Sequence, residues 1–414
     1  MNKKTLIGLG VAALVALVAA VVLNQTNKPR SENAGEKTAW LAPELRDHVN
    51  DVSKIVVTGA DNKVLATLER GANGWGLAEK GGYAADTGKL REFLLKLADA
   101  KLLEQKTANK DKYAALGVED VATKDAKGLQ VELDGFAQPL KLIVGSTNPR
   151  GAGTFVRRAG DAQSWLASGT LTVEKSAADW LKKDLVDIAA NRIASATIAH
   201  ADGKSVRVAK DAEGDANFKV ADIPKGREAG SEFSANGLAS TLGGMRFDDV
   251  VPAKDATAGD KALKARYATF DGLVVDVTVW ERDGKDEAQF VASLDAARAD
   301  KGIAVAQAKA KAEFETAAAA AASAKKDDKS IAEAPVKPLA VSDPVKDRED
   351  RLASLNKEVA DLNAHFNGWT FVLPAYKYAN IDKSIDDLLK PLEEKKPAEG
   401  AKNAATRKTT KAGQ

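Results

Sequence analysis

The stretch VSKIVVTGADNKVLATL, residues 52–68, decides the fold of this chain. Apolar residues recur in Val52–Val57 and again in Val64–Leu68, and the polar segment Asp61–Lys63 separates the two runs. Such runs are typical of strands with a buried face, and Asp and Asn favour tight turns. A third short strand is predicted at Trp75–Leu77. The segment is therefore predicted to form an antiparallel meander.

A helix is predicted directly after this meander. Asp86 occupies the position of an N-cap, and apolar residues follow it at helical spacing: Leu90, Phe93, Leu94 and Leu97. An N-cap carboxylate accepts hydrogen bonds from the first amides of a helix, and the 3–4 spacing gives a single apolar stripe. We expect this stripe to cover one face of the sheet, which indicates an α+β fold.

The same pattern returns later in the chain at one constant offset. Residues Ile193, Ile198, Asp202, Lys204, Val206 and Val208 correspond to Val52, Val57, Asp61, Lys63, Leu65 and Thr67. Phe218–Asp222 then takes the place of Trp75–Glu79, and Ser234 takes the place of Asp86 as the predicted N-cap ahead of Leu238, Thr241, Leu242 and Met245. A second hairpin and helix are therefore predicted.

Each copy is expected to close with a similar segment. VEKSAADWLK at Val173–Lys182, predicted as a terminal helix that contains Trp180, resembles IDKSIDDLLK at Ile381–Lys390. A repeated unit must repeat its turn, cap and stripe together. The sequence thus predicts two tandem divergent repeats of an antiparallel sheet with covering helices, over residues 51–187 and 188–390.

The second copy carries an insertion at about residues 295–367. The first copy places its strands close together, at Leu129–Leu133, Leu140–Val144 and Thr154–Val156, whereas the second copy has Val274–Trp280 and Gln289–Leu294 and only then, after the insertion, Trp369–Leu373. Asp295–Ala324 is rich in Ala, which favours a helix. After Pro335–Pro344, apolar residues follow at the spacing of a packing seam: Leu352, Leu355, Val359, Leu362 and Phe366.

A long helical hairpin is the simplest interpretation of this insertion. Two roles for it stay open. The two helices can bury the seam against each other, or the five seam residues can form an arm that binds a partner.

A membrane anchor is predicted at the N-terminus. Lys3 and Lys4 precede an uncharged run, Thr5–Leu23, which is long enough to span the apolar part of a bilayer. The residues assigned to the anchor are Thr5, Leu6, Ile7, Leu9, Val11, Leu14, Leu17, Val21, Val22 and Leu23. The alternative is a cleaved signal peptide. Both interpretations export the body, which indicates a single-pass protein of the bacterial inner membrane with its body on the periplasmic side, held by a linker over residues 24–50.

Composition excludes several classes of protein. The 414 residues carry a formal net charge of only +2, with acidic and basic residues interspersed, so we expect no nucleic-acid partner. The chain has no cysteine, which excludes disulfides, a thiol nucleophile and zinc sites built on Cys. Residues 391–414 are expected to form a disordered basic tail, because Glu393–Gln414 is rich in Lys, Arg, Ala, Thr and Gly and has no large apolar residue.

No catalytic motif is evident in the sequence. His48, His200 and His365 have no metal-ligand spacing, and Gly203–Ser205 lies between two predicted strands, where it is expected to form a turn and not a phosphate loop. No nucleophile elbow is present. We therefore expect no enzyme, no cofactor and no metal. Tryptophans in the predicted strands, Trp75, Trp280 and Trp369, are expected to pack in the core, with an aromatic sugar-binding platform as the alternative.

The order of these motifs resembles a known family. The motifs that carry the resemblance follow the predicted N-terminal membrane helix and are Gly74-Trp75, Tyr83–Asp86, Tyr113–Val118 and Trp180–Lys182. Together they look like the repeated domain of unknown function of membrane-anchored proteins found beside gliding-motility-type ABC transporters. The resemblance carries no catalytic residues. It implies a non-enzymatic accessory or scaffold subunit whose partners are the permease and ATPase subunits of an ABC-type complex, or other envelope proteins. The alternative is a module that binds an envelope glycan or lipid.

Overall fold

The computed structural model describes residues 39–327 and 335–391, without the side chains of 324–327. In these residues, no helix is both long enough and apolar enough to cross a membrane. The predicted anchor Thr5–Leu23 and nearly all of the predicted tail lie outside the described residues.

The described parts of the chain form short strands and helices of very different length. The strands are β1 (Lys54–Thr58), β2 (Val64–Gly71), β3 (Gly74–Leu77), β4 (Tyr83–Ala84), β5 (Leu102–Gln105), β6 (Leu129–Asp134), β7 (Leu140–Thr147), β8 (Thr154–Arg158), β9 (Ser164–Ala167), β10 (Asp184–Val186), β11 (Ile193–Ala199), β12 (Ser205–Ala209), β13 (Lys219–Val220), β14 (Met245–Arg246), β15 (Asp249–Pro252), β16 (Leu263–Thr269), β17 (Leu273–Arg282), β18 (Lys285–Leu294) and β19 (Trp369–Val372). The helices are α1 (Pro43–Arg46), α2 (Thr87–Asp99), α3 (Glu232–Ala239), α4 (Ala296–Asp327), α5 (Leu339–Ser342), α6 (Pro344–Phe366) and α7 (Ala375–Ile381). The fold is α+β with antiparallel sheets, as predicted.

The chain divides into two compact units. Unit 1 extends to Val64 and resumes over Arg91–Val173, and unit 2 comprises Leu65–Leu90 and the chain from Glu174 onward. These bounds differ from the predicted repeat bounds, because compactness follows contacts in space whereas a repeat follows the order of motifs along the chain.

Unit 1 is built on antiparallel strands in the order β1-β6-β7-β8-β9-β5. A buried cluster packs beside them, formed by Tyr113, Val118, Ile143, Phe155 and Leu166. Leu41, Ala42 and Leu45, within the predicted linker, are also buried.

The predicted N-cap of α2 is confirmed, since Asp86 Oδ1 accepts a hydrogen bond of 2.9 Å from the Lys89 amide. The predicted stripe Leu90, Phe93, Leu94 and Leu97 is buried.

Unit 2 contains an antiparallel sheet in the order β13-β12-β11-β16-β17-β18-β19-β15, a hairpin of β2, β3 and β4, and the pair β10-β14. The strands β11, β16, β17, β18, β19 and β15 follow one another in the same order as β1, β6, β7, β8, β9 and β5 of unit 1. These six strands therefore lie in the same order in both units.

Four details of the prediction are wrong. Ser234 is not the N-cap of α3; Ser231 is, because its side chain accepts from the Phe233 amide at 3.2 Å and the helix begins at Glu232. That helix ends at Ala239, so Met245 belongs to β14 and not to a helical stripe.

The other two corrections concern the closing segments and the strand order. Ala177–Trp180 is a single 3₁₀ turn and not the predicted terminal helix, because Leu181 directly after it pairs as a β-bridge. Asp386–Leu388 is a 3₁₀ turn too, and Leu389 after it also forms a β-bridge. Strand β16 was not predicted. The insertion consequently interrupts the sheet before its fourth strand of this series, β19, and not before the third.

Candidate functional site

Unit 2 contains an open cleft of about 1070 Å³, called here the arm cleft. Its lining comes from α4 and α6, from β11, β12 and the loop 210–213 that follows, and from the turn between β16 and β17. Segments far apart in the sequence thus contribute to one surface. Leu355 of α6 is the member of the predicted seam that lines it.

Two glycines allow α4 to lie against the β16–β17 turn. A Cβ on Gly302 would lie 2.6 Å from the main-chain oxygen of Phe270, and a Cβ on Gly272 would lie 2.6 Å from the Ala299 amide nitrogen. Gly272 also has a φ of +96°, which side chains other than that of glycine rarely tolerate. The close approach of α4, which forms one wall of the cleft, therefore depends on glycine at both positions.

The start of α4 is fixed by Asp295. Its Oδ1 accepts from the Arg298 amide at 3.0 Å, and its main-chain oxygen accepts from the Ala299 amide at 2.9 Å. An acidic N-cap satisfies free amides and complements the helix dipole. This carboxylate is thereby committed to the helix.

Arg192 is the electrostatic centre of the cleft. Its two terminal nitrogens donate to both carboxylate oxygens of Glu358 in α6, at 2.6 and 2.7 Å, and its Nε donates to Asp271 at 2.8 Å. The side chain is half-buried. These hydrogen bonds, with that of Glu358 contributing most, raise the pKa of Arg192 despite the opposing effect of burial. Bidentate arginine–carboxylate pairs are strong and directional, so Arg192 holds α6 against the β16–β17 turn.

A second polar set joins α6 to α4. Gln307 donates to the main-chain oxygen of Pro344 at 2.7 Å and to Asp347 at 3.0 Å, and Asp347 also accepts from Arg351 at 2.9 Å. Arg348 pairs with Asp300 at 2.7 Å. The two helices of the insertion are thus in direct contact.

Helix α6 also protects a sheet edge. Asn363 accepts a hydrogen bond from the Ala292 amide and donates one to the Ala292 carbonyl, both at 2.8 Å, on the side of β18 that faces away from β17 and beyond its pairing with β19. An open strand edge invites pairing with other chains, and a side-chain amide is one way to cover it. Of the predicted seam, Leu355 and Phe366 are buried, and Leu352, Val359 and Leu362 are partly buried. The side chains of Leu355 and Phe366 therefore belong to the packing of unit 2 itself.

Several charges of the cleft have no counter-charge in the described parts of the chain. Arg207, Lys301 and Lys309 form no ion pair there, and Lys210 lies 4.7 Å above the Phe218 ring without a carboxylate. Most of the acids are engaged: Asp211 with Lys219, Asp271 and Glu358 with Arg192, and Asp295 with α4. Glu213 and Glu313 are the lining carboxylates that remain. After internal pairing, cations are therefore in excess.

The three histidines have separate surroundings. His48 is exposed and pairs with Asp51 at 2.7 Å, and His200 contacts the Lys383 carbonyl at 3.1 Å. No group of three or more potential metal-ligating side chains occurs in residues 39–327 or 335–391.

His365 lies in an aromatic cluster at the end of α6. Its Nε2 is 3.2 Å from both the Tyr83 hydroxyl and the Asp184 carbonyl, and its ring stacks on Phe371. Tyr83 meets Trp369 edge to face, with ring centroids 5.0 Å apart. Burial lowers the pKa of His365 and raises that of Tyr83. Both side chains are therefore favoured in their neutral forms.

The tryptophans do not form a platform in the arm cleft. Trp280 and Trp180 are buried, and Trp75 and Trp369 are half-buried. All six tryptophans lie in the described residues, and none of them lines the cleft. Among these residues, Phe270 is the one aromatic residue of the lining.

Sequence reasoning missed most of the cleft. Arg192, Arg207, Lys301 and Lys309 stand in separate segments, and only folding brings them together. A usable signal was present in Gly302, because a glycine within an Ala-rich helical run indicates a close packing contact.

Comparison with known proteins gives one family match. Residues 75–265 match the family model described as "Domain of unknown function (DUF4340)". This segment contains most of the motifs on which the sequence resemblance depends, from Trp75 to Lys182. No curated protein and no solved structure matches the chain significantly. The match over residues 75–265 therefore supports a domain-of-unknown-function family for this part of the chain and attaches no activity to it.

Proposed function

We propose that the protein is a non-enzymatic accessory or scaffold subunit of an ABC-type transport complex in the bacterial envelope. The observation that supports this most is the ion pairing in the arm cleft. Its half-buried charged side chains, Arg192, Asp271 and Glu358, form ion pairs with one another. A catalytic centre needs a reactive acid, base or nucleophile that faces the substrate, whereas a binding surface needs shape, apolar area and complementary charge.

In this proposal the run Thr5–Leu23 anchors the chain, the body lies on the periplasmic side, and the permease and ATPase are other chains. The transport context comes from the sequence resemblance given above. The arm cleft supplies a surface for a partner, and the absence of tryptophan from its lining makes a protein partner a better candidate than a glycan.

We also propose that the body consists of two divergent repeats and that the insertion is a helical hairpin. The repeat is supported by the shared strand order and by matching closing contacts. The Asp86 amide donates to the Trp180 carbonyl at 2.7 Å, and the Gly230 amide donates to the Leu388 carbonyl at 2.8 Å. Next to these, Leu181 bridges Ala85 and Leu389 bridges Ala229. A scaffold gains length and repeated surfaces from duplication.

The test is quantitative affinity purification. The tagged full-length protein is extracted from native membranes in mild detergent, with a tagged fragment of residues 1–50 as the control that carries only the predicted anchor and linker. We expect permease and ATPase subunits of one ABC complex to be enriched with the full-length chain alone. Recovery of the protein without such subunits, or equal recovery with the fragment, would contradict the proposal.

A further inference from the structure

The arm cleft has a length that suits a segment of polypeptide. Its α4 lining extends from Arg298 to Glu313 on one helix face, which corresponds to about 22 Å at 1.5 Å per residue. An extended segment of about seven residues covers that distance. The cleft is therefore long and open rather than shaped around a small molecule.

The face that α4 presents to the cleft is narrow. Ala306 and Ala310 follow one another along it, with the exposed Val305 beside them. Small residues allow the main chain of an occupant to approach the helix closely, and Val305 supplies an apolar contact. Both features favour a polypeptide over a strongly hydrated small ion.

Charge then selects the kind of polypeptide. Unpaired cations come from both groups of lining elements: Arg207 and Lys210 from the sheet side, Lys301 and Lys309 from α4. These cations favour an acidic polypeptide. The C-terminal sequence after Glu393 does not have this composition, because its Lys and Arg outnumber its Asp and Glu.

Other anionic ligands fit less well. Glu213 and Glu313 also line the cleft, and they would repel a uniformly charged polyanion such as a nucleic acid or an acidic glycan. A polypeptide can place acidic side chains beside the cations and neutral ones beside these two carboxylates. No tryptophan of the described residues lines the cleft to stack on sugars or bases.

We infer that the arm cleft binds an acidic segment of a partner protein, an inference that rests on the proposed function and names the partner chemistry of its site. The occupant lies along α4 between Arg298 and Glu313. Its carboxylates pair with Lys301 and Lys309 on α4 and with Arg207 and Lys210 opposite.

The experiment places a photocrosslinking residue at Val305 of the full-length protein in native membranes. The matched control places it at Val291, whose side chain is exposed to a similar extent, 54% against 59%, but lies outside the cleft. Crosslinked peptides are sequenced by mass spectrometry. We expect an acidic partner segment at Val305 and not at Val291.

Charge reversal provides the second readout. Lys301→Glu with Lys309→Glu should lower the crosslink yield at Val305 about tenfold, since two surface ion pairs become repulsive contacts. Both lysines are exposed and unpaired within the described residues, and Glu is as good a helix former as Lys, so folding is retained.

The outcomes separate the two proposals. ABC subunits can co-purify while the probe at Val305 gives no crosslink, or gives one to a neutral or basic segment, a glycan or a lipid. In each of these cases the acidic-segment inference is wrong and the proposed function stands. If the full-length protein recovers no ABC subunit, the proposed function is wrong and this inference falls with it.

Discussion

Replacement of Gly302 by alanine tests the contact that forms one wall of the arm cleft. An added Cβ would lie 2.6 Å from the Phe270 carbonyl oxygen and 3.1 Å from the Asp271 Cα. Alanine is favoured over glycine inside a helix by about 1 kcal/mol. Overpacking against atoms that cannot move away costs roughly 1–3 kcal/mol. The main chain of the turn cannot rotate aside as a side chain can, so we take the upper part of that range, about 2–3 kcal/mol, and expect a net loss of stability of about 1–2 kcal/mol.

Gly237 provides the matched control. It also lies inside a helix, α3, but a Cβ there would meet only the Asn380 Oδ1 atom, at an ordinary contact distance of 3.7 Å. Gly237→Ala should therefore stabilise the protein by up to about 1 kcal/mol. The two substitutions are chemically identical, and their effects should have opposite signs.

Thermal unfolding and hydrogen exchange measure the difference. Gly302→Ala should lower Tm by roughly 2–6 °C and speed amide exchange over the first turns of α4, whereas Gly237→Ala should raise Tm slightly. Equal stabilisation by both variants would mean that α4 does not lie against the β16–β17 turn. The position of α4 as one wall of the cleft would then be wrong.

Further predictions concern single side chains of unit 2. Burial lowers the pKa of His365, so its contribution to stability should be present above about pH 6.5 and lost as the pH falls through the lower folded value; His365→Phe should flatten this dependence in urea unfolding between pH 7.5 and 5. Arg192→Met should lower the free energy of unfolding by about 2–3 kcal/mol. In a double-mutant cycle with Glu358→Gln, the double variant should lose less stability than the two single variants together, and full additivity would refute the coupling. Ser231→Ala should cost about 1 kcal/mol and Ser234→Ala almost nothing, which circular-dichroism melts can compare; the reverse order would restore the cap predicted from sequence.

The parts of the fold that follow local rules could be predicted. The strands β1 and β2 and the turn between them follow from alternation around Asp61 and Asn62, both of which have positive φ. Helix α2 follows from its cap and stripe. In α3 the cap was misplaced because Ser231 and Ser234 both precede apolar residues, and only the hydrogen bond to the Phe233 amide decides between them.

Long-range pairing could not be predicted from such rules. Strand β16 alternates well over Leu263–Thr269, but its place beside β11 depends on a partner distant in the chain. The arm cleft is a stronger example, because its central ion pairs join Arg192 to Glu358 across most of unit 2. No spacing rule indicates such a contact, and the excess of cations becomes evident only after each internal pair is identified.

The most direct test of the central claim is chemical crosslinking and mass spectrometry of the full-length protein in native membranes, read at Lys301 and Lys309. We expect crosslinks from these lysines to acidic segments of ABC transporter subunits. Recovery of the protein without protein partners, carrying instead an unassigned glycan or lipid mass, would contradict the accessory role and favour an envelope-binding module.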